Sequence, residues 1–296
     1  MATLRQSVVA RVTRLYPLAS GCGRIANSAL VQALAGPSRE VVWAPVPGGE
    51  VLAPLDDYVG RSAFFVGELD RKISHLCRRL VRPGDTVLDI GANIGLVSVL
   101  LSSLVGKSGH VHAFEPNPSL VKLLEQVRER GALSNFQLHP VALGEVEGQL
   151  DLSMPEGNAG MGSLVRAHGE GSKHVLVRVK RLSQMLRDLD VSAIRFVKID
   201  VEGFEPQVLS GGRDWFAAHP PDAILFELND DADRFSEHPT FQILQELGYV
   251  FFSIPKYLFR LRLKEFIPGS SPKPESNDFL ALHRGSSYVD TLAALS

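Results

Sequence analysis

The sequence predicts an α/β protein built on a mostly parallel sheet with helices on both faces. Three observations carry this. From Thr86 onward, short apolar runs such as TVLDI, HVHAF and IRFVKI alternate with stretches whose apolar residues recur at helical spacing. The runs are apolar throughout rather than at every second position, the mark of strands buried on both faces. Acidic residues, Asp89, Glu115, Asp200 and Glu227, stand at or just after the ends of four of the runs. In parallel sheets, ligands bind outside those carboxyl ends.

The elements follow in order. Residues 1–80 read as a helical N-terminal cap broken by Gly21, Gly23, Pro37 and the turn-rich PVPGGE. RRLVRPGD (78–85) closes a helix and turns into the first strand, 86–90. A helix over about 94–104, a strand at 110–114 and a helix at 119–130 come next, then FQLHPVAL (136–143) as a third strand. GQLDLSM (148–154) and HVLVRVKRL (174–182) read as a strand pair flanking the glycine-rich EGNAGMGSL. A short helix near 183–189 leads to the strand 194–199. PQVLSGG starts a helix that Gly211–Gly212 is expected to end. Strand 223–228, helix 241–248 and strands 249–254 and 278–283 complete the pattern. KYLFRLRLKEF, between the last two strands, reads as a sheet edge protected by charge. The expected division is a cap at 1–80, a main domain at 81–285 and a tail at 286–296.

Composition narrows the function. At 296 residues, with 45% hydrophobic and 22% charged residues, the chain is that of a soluble globular protein. A net charge of −2 gives no reason to expect nucleic acid. No apolar run reaches the roughly 20 residues that span a bilayer. Cys22 and Cys77 fit neither a disulfide framework nor a zinc site, so a reducing, cytoplasmic setting is the default. Before Glu40 there is no acidic residue, while Arg5, Arg11, Arg14, Arg24 and Arg39 are present, and Val8, Val12 and Leu15 recur at helical spacing. The expectation is a short helix lying on the main domain; transit peptides and membrane-surface helices share the pattern.

The loop DIGANIG (89–95) carries the binding chemistry. Gly91 and Gly95 let the strand turn tightly into a helix with its backbone close to a ligand. Asn93 stands where a dinucleotide site places a glycine for its pyrophosphate, and Asp89 would oppose a diphosphate. Both suit S-adenosylmethionine, which bears an ammonium and a sulfonium and no phosphate. Glu115, 26 residues after Asp89, suits the hydroxyls of a ribose.

VLDIGANIG, AFEPNP (113–118), HPVALG (139–144), VKIDVEGFE (197–205) and VLSGG (208–212) together resemble the FkbM family of S-adenosylmethionine-dependent methyltransferases. The resemblance spans roughly 60–285. It implies a Rossmann-like sheet of seven strands, mostly parallel and with an antiparallel last strand, for which DFLALH is the candidate. It also implies O-methylation of a hydroxyl on a sugar, lipid or secondary metabolite. Carried over by position, Asp89 would hold the methionine end, the Gly91–Ala92–Asn93 backbone would pass the cofactor closely, Glu115 would bind the ribose with Asn117 nearby, and Val141–Ala142 would lie against the adenine.

An alcohol needs its proton accepted as it attacks. Asp200, Glu202 and His139 are the candidate bases, with Asp200 favoured by position, helix-terminus roles open to the two acids, and a core role open to His139. Glu205 reads as structural. Lys198, within a buried strand, must pair with an acid, Glu227 or Glu202 being the expected partners. No metal is assigned, although Asp200, Glu227 and Asn229 would offer three oxygen ligands. EGNAGMGSL is the expected active-site flap, with Asn158 and Ser163 offering hydrogen bonds. The competing readings are an NAD(P)-dependent oxidoreductase on the same sheet and a non-catalytic domain that binds S-adenosylmethionine.

Overall fold

The computed structural model describes residues 2–155, 162–165, 172–228, 237–257, 261–270, 274–286 and 288. The chain starts with α1 (Leu4–Thr13), α2 (Cys22–Ala26) and α3 (Ala29–Ala35), a hairpin of β1 (Val41–Val46) and β2 (Gly49–Pro54), α4 (Tyr58–Phe65) and α5 (Arg71–Leu80). The hairpin adds a sheet to the expected helical cap. Its two-residue turn is Pro47–Gly48, with Gly48 at φ +92°, the proline-then-glycine order of a type II turn. The turn signals of PVPGGE therefore join two strands rather than break helices.

The core then follows the expected alternation: β3 (Thr86–Ile90), α6 (Leu96–Val105), β4 (His110–Phe114), α7 (Pro118–Arg130) and β5 (Phe136–His139). The expected third strand divides in two. Pro140 has no N–H for the ladder, so β5 ends at His139, and β6 (Ala142–Gly144) joins a second sheet with β7 (Gly148–Met154) and β8 (Lys173–Arg181). α8 (Leu182–Asp188), β9 (Phe196–Ile199), α9 (Glu205–Ala218), β10 (Ala223–Glu227), α10 (Pro239–Glu246), β11 (Tyr249–Ser253), β12 (Lys264–Phe266) and β13 (Asp278–His283) complete the described chain.

The main sheet runs β12-β11-β13-β10-β9-β3-β4-β5. β5, β4, β3, β9 and β10 are mutually parallel, and β13 enters antiparallel between β10 and β11. This is the expected seven-stranded Rossmann-like sheet with one more strand, β12, on its edge. β12 lies in the basic segment expected to form a charged edge, and 258–260 of that segment fall outside the described residues. α9 differs from expectation: it runs through Gly211–Gly212. A Cβ on Gly211 would stand 2.0 Å from the Gly144 carbonyl oxygen, so the glycine pair lets the helix lie against β6.

The pleat sorts the side chains. Leu88, Ile90, Val197 and Ile199 pack toward α8, α9 and α10, whereas Val87, Val111 and Phe196 pack toward α5, α6 and α7. Asp89 and Lys198 are direct register partners on the second face, as Glu227 and Asp278 are at the far end of β10. The N-terminal elements form a third core with Ile94, Val99, Leu120 and Val127 beside α6 and α7. They thus cover the strand ends that carry the acidic residues.

Candidate active site

The strand order reverses between β3 and β9, and a cleft opens at the carboxyl ends there. Its walls are Gly91, Asn93, Glu115, Asn117, Val141, Ala142, Leu143, Phe204 and the Asp200–Glu202 loop. Gly91 has φ +81°, and a Cβ on it would stand 1.9 Å from the Asp200 carbonyl oxygen. Glycine is therefore required for the β3 and β9 loops to meet.

Glu115 organises the cleft. Its Oε2 accepts the Asn93 N–H at 2.8 Å and its Oε1 accepts the Asn117 N–H at 2.8 Å. Each oxygen keeps a further lone pair for a ligand hydroxyl. Burial pushes the carboxyl up to about 7 against the pull of those N–H bonds. Asn93 takes the left-handed conformation (φ +54°) and accepts the Ile94 N–H on its own Oδ1 at 2.7 Å. Asn117 caps α7 by accepting the Ser119 N–H, and its Nδ2 reaches Met154 Sδ at 3.0 Å. Val141, Ala142, Leu143 and Leu152 give the cleft an apolar wall. Gly95 opens α6 at φ +89° and, packed against Leu124, lies behind the cleft.

Three expectations change. Asp89 lines neither this cleft nor the larger cavity beside it: it is wholly buried, accepts a 2.5 Å bond from Ser98 Oγ, and lies 3.4 Å from Lys198 Nζ. Lys198 pairs with Asp89 and, at 3.3 Å, with Asp200 rather than with Glu227 or Glu202. It also donates to the Gly91 carbonyl at 2.7 Å. Burial pulls the lysine pKa down, but Asp200 and Asp89 outweigh it and the net shift is upward. His139 faces neither cavity. Its ring stacks on Phe114 at 4.6 Å and its Nε2 meets His112 Nδ1 at 3.2 Å, while burial holds it down to about 4.

Asp200 and Glu202 line the cleft as expected. Glu202 has φ +52°, and its carbonyl accepts a bond from Ser163 Oγ at 2.9 Å. Ser163 therefore pins residues 162–165 to this loop instead of facing a ligand, and Gly162 and Leu164 close one side of the cleft. The rest of the expected flap, Asn158 included, lies outside the described residues, as does Asn229. Glu205 anchors the loop from below by accepting the Val201 and Gly203 N–H groups, each at 3.2 Å.

A second cavity of about 820 Å³ shares Asn93, Asp200 and Glu202 with the first and extends beneath the N-terminal elements. Tyr16, Tyr58 and Ile73 supply apolar surface, and the carboxyl groups of Glu68, Asp70, Asp200, Glu202, Glu227 and Asp278 outnumber the cations of Arg24, Lys198 and Lys256. Burial pushes Glu227 up to about 8, and the neighbouring Asp200, Asp278 and Glu202 act in the same direction. Asp278 is held by Lys72 Nζ at 3.2 Å and Ser276 Oγ at 2.8 Å. Reading from sequence placed Glu227 on the acidic edge but did not single it out as a base. Its signal is positional: it ends β10 opposite Asp278, on the face that the cap covers.

Residues 89–251 match the family model described as the methyltransferase FkbM domain. Among curated proteins, the chain is 27% identical over 197 residues to the 31-O-demethyl-FK506 methyltransferase FkbM of Streptomyces tacrolimicus, covering 57% of this chain and 75% of that one. It is 26% identical over 150 residues to the 2-O-methyltransferase NoeI of Sinorhizobium fredii, covering 46% and 60% respectively. Among solved structures, the methyltransferase FkbM of Methylobacillus flagellatus aligns with a TM-score of 0.40 at 15% identity, over 76% of this chain and 53% of that one. A SAM-dependent O-methyltransferase of Thermotoga maritima aligns with a TM-score of 0.44 at 16% identity, over 86% and 81%.

Proposed function

The chain belongs to the FkbM methyltransferase family, and from that premise we propose that it moves the methyl group of S-adenosylmethionine onto a hydroxyl, with Glu227 accepting the hydroxyl proton. The observation that carries the reading is the Glu115 carboxylate, fixed by two backbone N–H groups just past the end of β4 and lining the cleft. The reading assigns Glu115 to the ribose and the apolar Val141–Leu143 wall to the adenine, with Gly91 letting the β3 and β9 loops meet beside them. Asn93, with no glycine in its place, disfavours NAD(P). When bound, S-adenosylmethionine supplies a methyl group on a positively charged sulfur.

The chain's own part is to position the acceptor and to take its proton. Asp200 is tied to Lys198 and shapes the boundary between the two cavities. Glu227 lies in the larger cavity with a proton affinity matched to neutral solution, the condition for general-base catalysis. The excess of carboxylates supports an acceptor that is uncharged or cationic rather than phosphorylated. Oxygen as the acceptor atom is supported by the names of the FkbM and NoeI relatives.

The test is transfer of a labelled methyl group from S-adenosylmethionine to polyol, amino-sugar and sugar-phosphate acceptors, with products identified by the added mass of one CH₂. Neutral or cationic hydroxyl acceptors are expected to be labelled in preference to the phosphorylated ones. Labelling confined to nitrogen or to sugar phosphates overturns the assignment.

A further inference from the structure

We propose that α1 and α3 form a docking face for an anionic lipid bilayer. Both helices turn large aliphatic side chains outward as well as packing others on the core. The side of α1 that meets the protein carries Gln6, Ala10 and Thr13, with Gln6 only 3% exposed and Thr13 Oγ1 donating to the Phe65 carbonyl. The outward side carries Leu4, Val8, Val12 and Leu15, exposed by 83%, 51%, 65% and 79%. Their spacing puts Leu4, Val8 and Val12 on one stripe of α1, and Leu15 stands in the turn just past its end. α3 repeats the pattern, burying Val31 and Ala35 and turning Leu30 and Leu34 outward. Arg5 ties the helices together by donating to the Ala33 carbonyl at 2.8 Å.

Isolated exposed aliphatics are normal on soluble proteins. These are not isolated: half of the fourteen large exposed hydrophobic side chains among the described residues fall within 4–41. Gln6 is buried because it closes the capping box of α1, its Oε1 accepting the Thr3 N–H at 2.8 Å. The outward leucine and valine side chains have no such role in the fold, and an apolar medium on that side gives them one.

Charge selects the occupant. Residues 1–39 contain five arginines and no acidic residue. Arg11 stands seven residues from Leu4 and three from Val8, within the outward stripe of α1, and Arg5 flanks it. Arg24 and Arg39 are exposed beyond it. Leucine and valine side chains bordered by arginines fit the boundary between acyl chains and anionic headgroups, where the aliphatic groups enter and the guanidinium groups remain among phosphates. No described helix is long and apolar enough to cross a membrane, so the contact is with the surface. The segment joining α1 to α3 supplies Tyr16, Ser20 and Arg24 to the wall of the larger cavity, so docking brings that cavity to the lipid.

The experiment is co-sedimentation of the full chain with vesicles of phosphatidylcholine alone and of phosphatidylcholine mixed with phosphatidylserine, at two salt concentrations. The expected result is partition onto the anionic vesicles that weakens with salt. Leu4→Ser together with Leu15→Ser should lower it at least tenfold, and Arg5→Gln or Arg11→Gln about fivefold each. The leucines and Arg11 are exposed and their variants are expected to keep the parent's melting temperature, while Arg5→Gln also removes the bond to Ala33 and is read against Arg11→Gln. The lipid and salt dependence of the unaltered protein needs no variant. Equal partition onto neutral and anionic vesicles, no partition at all, or indifference to the leucine substitutions overturns the proposal. So does a dimer in sedimentation equilibrium that Leu15→Ser dissolves, since a second copy then occupies the face.

Discussion

Asp89 and Lys198 illustrate how register decides charge. The two residues are 109 positions apart in the chain but are direct partners on adjacent parallel strands, and each is buried. A buried pair stripped of one member leaves an uncompensated charge, which costs about 3–5 kcal/mol. Lys198→Met is therefore expected to lower stability by about that amount in urea denaturation, although methionine keeps much of the volume. A change within about 0.5 kcal/mol contradicts the pairing. Glu227 carries the pH dependence. Its pKa rises from an ordinary 4.5 to about 8, so the folded chain binds more protons than the unfolded one across that window. Its contribution to stability thus declines as pH rises through the window, while its fitness as a base grows. The expected kcat/KM climbs roughly tenfold per pH unit below about 8 and then levels. Glu227→Gln should lose that limb and about 10²–10⁴ of the rate; a variant with the parent's profile assigns the proton elsewhere.

At the level of elements, strands were readable where the chain pattern and the tertiary environment agree. TVLDI and HVHAF are apolar end to end because both faces of the sheet are covered, and β3 and β4 begin and end where expected. FQLHPVAL misled because apolar content persists across Pro140 although the hydrogen-bond ladder does not. Gly211–Gly212 misled for the opposite reason: paired glycines usually stop helices, and here they thin one. Only the fold reveals that the Gly144 backbone lies against that turn. Gly211→Ala tests the account, since alanine should gain up to about 1 kcal/mol of helix propensity. Overpacking against a backbone oxygen should nevertheless give a net loss of about 1–3 kcal/mol in urea denaturation. A net gain means the helix and β6 are not in tight contact. In the site, Glu115 and the glycine loop were legible because strand-end position alone defines them. The burial of Asp89, the stacking of His139 and the poise of Glu227 were not, since each depends on a neighbour far away in sequence.

Over the whole molecule, two units divide the work. The sheet and its helices hold a cleft at the point where strand order reverses, and the N-terminal helices and hairpin roof the adjoining acidic cavity. The roof shares a core with α6 and α7, so it is braced against the helix that the glycine loop begins. Leu4 and Leu15 line neither cavity. Substitutions there should leave cofactor affinity unaltered, which separates lipid docking from the fate of the methyl-transfer reading. The central claim is that Glu115 holds the ribose of an adenosyl ligand, and calorimetric titration with S-adenosylhomocysteine tests it most directly. Binding by the unaltered chain and a loss of about tenfold or more in Glu115→Gln are predicted. Equal affinity in the two proteins, or preferential binding of NAD(P), contradicts it.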